Sequence, residues 1–506
     1  MLSIQNLSLT LKTDHRILLK DFSFSLQPGQ KVAIIGEEGN GKSALLQTIV
    51  DPTRTEDYLI RSGSILCHRE RIGYVPQLFS ESMLRSSTED LVAPARDADC
   101  YRRYYRLLDS IGISEDLISP FRDFRSLSGG ERIKMALFIE LLKEPTILTL
   151  DEPTNDLDRD TVCWLEDFLC HLEIPLLLIS HDERLLEAVA DTIIHIEQLS
   201  HRTEPRVTVA HRGYREYVDE RNRRFQIQEQ RARKEESERK AQQERFQQIF
   251  ERVQHKQRVI TRQDPATGRL LKKKMKSLTS MRERFEREDE HRTQRPEREE
   301  GIFMRFRPET RIHSGTRVLD LHLENLTAGD RLLARTIHLT IDGPQKIAIV
   351  GPNGIGKTTL LQVIHRAIPP RLHVGYMPQN YMQILGEARS AIEFLSGSDG
   401  ARDEIARICT FLGSMNFSYD EMQHSPNALS GGQRAKLFLT RFMLDPVDVL
   451  LLDEPTRNLS PLSNIELRAV LRSFPGAIIA VSHDRAFLDE VCTVQYRLTA
   501  EGLWLQ

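Results

Sequence analysis

The chain has 506 residues, 40% of them hydrophobic and 28% charged, with a formal net charge of −3 and a mean hydropathy of −0.40. Such a length allows about three domains, and no apolar run approaches the roughly 20 residues that span a bilayer, which argues against a membrane-embedded protein. Six cysteines (Cys67, Cys100, Cys163, Cys170, Cys409 and Cys492) without CxxC spacing argue against a zinc site, an iron–sulfur cluster or a disulfide framework, and fit a reducing cytoplasm.

From Leu2 to Leu11 apolar residues alternate with polar ones, and the stretch ILLKDFSFSL follows from Ile17. Both predict strands of a small antiparallel sheet, and neither supplies the apolar core of a signal peptide. KVAIIG is a continuous apolar run, the pattern of a buried parallel strand. It feeds into GEEGNGKS, a match to Gly-x-x-x-x-Gly-Lys-Ser. In such a loop the backbone N–H groups of Gly36, Glu37, Glu38, Gly39, Asn40 and Gly41 can curl around a phosphate, and the helix that follows presents its positive end. Lys42 would reach the β- and γ-oxygens of a nucleotide, and Ser43 would offer a hydroxyl to Mg²⁺. Taken alone, such a loop competes with a Gly-rich turn that binds nothing.

YVPQ, with Gln77, comes next, then LSGGE from Leu127 to Glu131, then ILTLD ending in Asp151. A carboxylate at the end of a buried strand beside a phosphate loop is placed to hold Mg²⁺. Glu152 follows it, placed to orient or deprotonate a water. The strand-like PLLLIS then leads into His181.

From Tyr214 to about Glu300, apolar residues are sparse but helically spaced. Phe246, Ile249, Phe250, Val253 and Ile260 make one stripe, and Leu271, Met275, Leu278, Met281 or Arg282, and Phe285 another. One narrow stripe on each arm predicts two antiparallel helices with most of their surface wet. Asp264-Pro265 and Gly268 predict the turn between them. Around that turn, Arg252 to Lys276 hold nine basic residues and one acidic residue, a local formal charge of +8. A solvated charge run is the plain alternative. What weighs against it is the repeat on either side.

The second half restates the order of the first: KIAIVG, GPNGIGKT, YMPQ with Gln379, LSGGQ, VLLLD ending in Asp453, Glu454, and AIIAVS before His483. Its phosphate loop comprises Gly351, Pro352, Asn353, Gly354, Ile355, Gly356, Lys357 and Thr358. A repeat this long is a duplicated domain, and alternating β and α patterns imply an α/β fold with a mainly parallel sheet. The expected domains are 1–205, 206–310 and 311–506.

A phosphate loop, a Gln after a strand, LSGGE or LSGGQ, Asp-Glu and a His stand in the same order in both halves. In this the whole chain resembles ATP-binding-cassette ATPases: two P-loop NTPase domains, joined here by a long α-helical hairpin. The resemblance implies a monomer whose cassettes close head to tail on two ATPs with Mg²⁺. The Lys42 loop would face Ser430, Gly431 and Gly432, and the Lys357 loop would face Ser128, Gly129 and Gly130. Ser43, Gln77 and Asp151, with Thr358, Gln379 and Asp453, would serve Mg²⁺. Glu152, Glu454, His181 and His483 would be catalytic.

Tandem cassettes, no membrane span and a charged helical linker resemble the ABC-F class, whose hairpin points into the ribosome near the peptidyl-transferase centre and the P-site tRNA. Arg258, Arg262, Arg269, Lys272, Lys273, Lys274 and Lys276 would then contact RNA. A basic tip poor in aromatics suits backbone contacts that position without reading sequence. Two departures stand out. Ser460 sits where the family's interface loop carries Asp, as at Asp158, which predicts unequal sites. No aromatic stands at the adenine-stacking positions, near Thr13 and Ala328. The Arg457-Asn458-Leu459-Ser460-Pro461 loop and the Arg-Gln-Asp-Pro tip resemble members that protect ribosomes from lincosamides, streptogramin A compounds and pleuromutilins. Housekeeping translation factors share the architecture. A transporter's motor subunit would need a surface for coupling helices and has no use for a wet basic hairpin. DNA-associated cassette ATPases insert their coils inside a cassette, whereas here the insertion lies between two.

Overall fold

The continuous apolar runs become the inner strands of two six-stranded sheets. The computed structural model describes residues 2–67, 70–93, 101–155, 157–199, 203–259, 265–290, 293, 296, 306, 312–385, 388–397 and 401–506. It divides into two units, Met1–Tyr214 with Glu299–Gln506, and Arg215–Arg298.

In the first unit, the first-half sheet runs Ile72–Val75, Ile147–Asp151, Leu176–Ile179, Lys31–Ile35, Thr192–Leu199, Glu204–Ala210. Its first five strands are parallel and the sixth is antiparallel. The second half repeats the order with Val374–Met377, Val449–Asp453, Ala477–Val481, Lys346–Val350, Val494–Thr499 and Gly502–Leu505. Every residue of Ile147–Asp151, Val449–Asp453 and Ala477–Val481 is buried, as strands covered on both faces must be. The period of two is visible in the packing. Leu450, Leu452, Ile478 and Ala480 join Phe438, Leu467 and Phe487 on one face. Val449, Leu451, Ala477 and Ile479 join Leu360, Leu361 and Ile364 on the other. Both phosphate loops leave the carboxyl end of an inner strand, where parallel sheets open their binding crevices.

Antiparallel sheets flank both cores. In the first half Leu2–Leu11 lies between Ile17–Ser25 and Leu59–Cys67, so the sheet has a third strand beyond the two that alternation predicts. Its RSGS stretch hides the pattern. Gly63 has φ 89° beside the register shift between Gln5 and Ser8, and a Cβ there would lie 2.3 Å from the Asn6 carbonyl oxygen. The matching element in the second half is the hairpin Arg317–Ala328 and Arg331–Asp342.

The second unit holds helices of 46 residues, Tyr214–Val259 (its first residue counted with the first unit), and 26 residues, Pro265–Glu290. Val253, Leu271 and Leu278 form its small buried core, joined by Phe246, Phe250 and Met275. Phe246 meets Phe285 with ring centroids 6.0 Å apart. Further from the tip, Thr293 donates to Glu235 through its N–H at 3.0 Å and its hydroxyl at 2.8 Å. These contacts pair early residues with late ones, so the arms are antiparallel. Ile249 and Met281, counted on the apolar stripes, are 46% and 45% exposed. Ile260 lies outside the described residues. The turn differs from the expectation. Gly268 lies inside the second helix, which begins at Pro265, because Pro is well suited to a first helical turn where its missing N–H has no partner to lose. Asp264 lies outside the described residues. Among the described residues no helix is long and apolar enough to cross a membrane.

Candidate functional site

Gly36 and Gly351 begin the two loops with φ 147° and 157°. A Cβ would lie 2.2 Å from the Ile196 carbonyl oxygen at the first and 2.6 Å from that of Leu498 at the second, so each loop needs its first glycine. Lys42 folds back to donate from Nζ to the carbonyl oxygens of Gly36 (2.8 Å) and Glu37 (2.9 Å). Lys357 does the same to Gly351 (2.7 Å) and Pro352 (3.0 Å), and lies 3.4 Å from Asn353 Oδ1. Both lysines are buried. Burial pulls the Lys357 ammonium below its ordinary value, against the opposing pull of Glu454, Asp453 and Asp158.

Across each loop stands the expected aspartate. Ser43 Oγ donates to Asp151 Oδ1 at 3.0 Å, and burial still pushes Asp151 up to about 6. Asp453 is also raised by burial, against the neighbouring Thr358 hydroxyl and Lys357. Neither Asp453 oxygen meets a donor in hydrogen-bonding geometry among the described residues. A buried carboxylate with open lone pairs beside a hydroxyl fits a hard divalent cation. Among the described residues no three His, Cys, Asp or Glu side chains gather to hold a metal unaided, so the cation would lean on oxygens of a bound nucleotide.

Glu152 and Glu454 have φ 50° and 51°, a left-handed backbone unusual for a non-glycine residue and costly to hold. Each is pinned by its N–H, which donates at 2.9 Å to Ile179 or Val481. Both side chains point toward a histidine, His181 or His483. His181 donates its N–H to Glu152 Oε2 at 3.2 Å, and its ring Nε2 lies 2.9 Å from Oε1. His483 repeats this more loosely, at 3.3 Å and 3.6 Å. Burial, with the charge of Asp453, pushes Glu454 up to about 8.

The halves meet head to tail. Ser128 and Ser430 cap the helices Gly129–Leu142 and Gly431–Leu444 with reciprocal bonds to Glu131 and Gln433, a capping box that aims the helix N-termini. The second of these faces the Lys42 loop: Gly432 N–H donates to Glu38 Oε2 at 2.7 Å. Beside it, Ser460 Oγ donates to Glu37 Oε1 at 2.7 Å, and Ser463 donates to the same oxygen. His181 Nδ1 lies 2.5 Å from the Leu459 carbonyl oxygen. Burial opposes charge on Glu37, but Lys436, both serines and Lys42 outweigh it and hold the carboxyl below its ordinary range.

The other site is a cavity of about 700 Å³. Second-half Lys357, Thr358, Gln379, Asp453, Glu454 and His483 line it with first-half Gly129, Asn155, Leu157 and His181. Gln77 is exposed past the end of Ile72–Val75. Asp158 caps the helix Arg159–Cys170 through the Thr161 N–H. Motif reading missed Arg132 and Arg331, which also line the cavity. Arg331 stands three residues past Ala328, where an aromatic was sought, and a guanidinium also offers a flat face to a ring. In the second unit Arg269, Lys272, Lys273, Lys274 and Lys276 are exposed. Arg262 lies outside the described residues, as does the side chain of Arg258.

Comparison with known proteins agrees with this geometry. The ABC transporter family model matches residues 19–155 and 334–457, just over half the chain. The chain is 27% identical to ribosome protection protein VmlR of Bacillus subtilis, over 99% of its own length and 87% of the relative's. It is 28% identical to energy-dependent translational throttle protein EttA of Escherichia coli O6:H1, over 94% and 88%. Among solved structures, RNase-L inhibitor superposes with a TM-score of 0.59 at 17% identity, over 98% of this chain and 89% of that one, a likeness of fold. The chain belongs to the ABC transporter family, as an ABC-F ATPase carrying both cassettes on one polypeptide.

Proposed function

We propose that the chain hydrolyses ATP chiefly at the Lys357 site and uses the closing and opening of its two halves to act on the ribosome through the basic hairpin. The observation that carries the hydrolytic part is the cavity in which both halves meet. Lys357 and the loop N–H groups would hold the β- and γ-phosphates, with Arg331 against the base. Mg²⁺, when bound, would be held by Thr358, Asp453 and Gln379 and would neutralise charge on the phosphate oxygens. Glu454, fixed by its strained backbone and by the His483 N–H, would orient the attacking water and take its proton. Water oxygen joins the γ-phosphorus as the bond to the β–γ bridging oxygen breaks, and ADP and phosphate leave. Helix N-termini and His483 face the side where charge builds up, the geometry that stabilises a phosphoryl transition state.

The ribosomal part rests on the full-length likeness to VmlR and EttA and on five exposed basic side chains between Arg269 and Lys276. Such a surface suits the phosphates of folded RNA, ribosomal RNA and P-site tRNA in this reading, in the cytoplasm. Protection against antibiotics at the peptidyl-transferase centre follows the likeness to VmlR. A housekeeping role in translation follows the likeness to EttA. Expression in a drug-susceptible host separates the two. Raised tolerance, lost when residues 262–269 are shortened, supports protection. Unchanged tolerance with slowed translation on loss of the protein supports the housekeeping role.

A further inference from the structure

The two phosphate loops differ where they touch the opposite half. The first reads Gly-Glu-Glu-Gly and the second Gly-Pro-Asn-Gly, so Glu37 and Glu38 stand where Pro352 and Asn353 stand in the other copy. The opposing interface loops differ in the reverse sense, Ser460 for Asp158. At the Lys42 site the carboxylate has therefore moved from the interface loop to the phosphate loop. Glu37, 6% exposed, sits against Ser460 and Ser463. Glu38 reaches further, and its Oε2 takes the Gly432 N–H at 2.7 Å. That N–H opens the helix Gly431–Leu444 and points at the first phosphate loop. A terminal phosphate bound there would need this donor, and a carboxylate already holds it.

We propose that Glu38 is a specificity-determining residue that stands in for the γ-phosphate, so that the Lys42 site takes a nucleoside diphosphate in preference to a triphosphate. The inference rests on the nucleotide-binding reading above. A diphosphate leaves the Glu38–Gly432 bond in place and the two halves joined. A triphosphate must displace the carboxylate and then sit beside it, like charge against like charge in a half-buried site, which costs affinity. The first site becomes a hinge held closed by the protein's own anion, and the Lys357 site the one that answers to ATP.

The test is equilibrium binding of fluorescent ADP and ATP analogues to the full chain carrying Lys357→Met, so that only the first site reports. This site should bind the diphosphate at least about tenfold more tightly than the triphosphate. Glu38→Asn, which copies Asn353, should raise triphosphate affinity about tenfold and leave diphosphate affinity within about twofold. Should Lys357→Met fail to fold, stoichiometry on the wild-type chain gives the same answer: two diphosphates but one tight triphosphate per chain. Equal affinities for both nucleotides, unmoved by Glu38→Asn, overturn the role of Glu38. Binding of neither nucleotide by the wild-type chain contradicts the underlying nucleotide-binding reading instead.

Discussion

The Ser460 hydroxyl of the second half donates to Glu37 of the first at 2.7 Å, with both side chains buried. Ser460 is thus matched to its partner: an aspartate there would face a buried carboxylate. Ser460→Asp is expected to destabilise the joined halves by about 3 kcal/mol, the scale of an uncompensated buried charge. Glu37→Gln in the same chain should recover most of that loss. Thermal unfolding of the two single variants and the double variant measures the coupling, and additive losses would break the link between these residues.

Two ion pairs across the interface are charge-reversed copies of each other. Arg468 makes a bidentate pair with Glu183, at 2.5 and 2.9 Å. Arg485 pairs with Glu166 at 2.6 Å. Glu166 and Arg468 hold matching positions in the repeat, as do Glu183 and Arg485. Pairing a first half with another first half would set Glu166 against Glu183, and two second halves would set Arg468 against Arg485. The arrangement favours pairing of a first half with a second half over pairing of two like halves. Arg468→Glu should cost about 3–5 kcal/mol by leaving buried like charges. Adding Glu183→Arg should recover part of the lost ATPase activity and stability, because Glu490, which also pairs with Arg468 at 3.2 Å, would still face the new carboxylate. Failure of the swapped pair to exceed the single variant in both would count against this coding.

Most of the candidate site's layout was legible in the sequence because each element is local. A phosphate loop follows its own strand, and Asp453 and Glu454 close an apolar run of four residues. The facing of Lys42 toward the LSGGQ of the second half followed from resemblance. The Glu37–Ser460 match was not legible: the partners are 423 positions apart, and each looks like an isolated oddity until the halves close. Backbone strain at Glu152 and Glu454 leaves no mark on a side-chain pattern. The third strand at Leu59–Cys67 was hidden by its glycine. Pro265 and Gly268, expected in the turn, lie in the second helix, because Pro can open a helix as readily as it can make a turn.

Glu454 should make stability depend on pH in the nucleotide-free chain. Its carboxyl ordinarily titrates at 4.5 and is pushed up to about 8 by burial and Asp453. The unfolded chain gives up this proton from about pH 4.5, and the folded chain only near pH 8. The group's contribution to stability therefore declines across that window and is constant above it. Gln has no proton to lose. The Tm of Glu454→Gln minus that of the wild type should rise across the window and then level off. A difference that stays flat from about pH 5 to 9 contradicts the burial argument.

Glu152 and Glu454 should matter unequally. Glu454→Gln is expected to lower steady-state turnover about 10²–10⁴-fold, the usual scale for a positioned base. Glu152→Gln should leave most of it, because its site is closed by Glu37 and Glu38. Steady-state ATPase rates of the two single variants decide this, and equal losses would refute the inequality.

Co-sedimentation through a sucrose cushion tests the ribosomal reading most directly, with the Glu152→Gln, Glu454→Gln chain and ribosomes from its own source. With ATP the chain should pellet with ribosomes, less so as salt rises and phosphate contacts are screened, and with ADP alone it should stay in the supernatant. Replacing Lys272, Lys273, Lys274 and Lys276 with Ala should weaken pelleting while ATP binding persists. A chain that remains in the supernatant with ATP at low salt, though it binds ATP, contradicts a ribosome-directed ATPase.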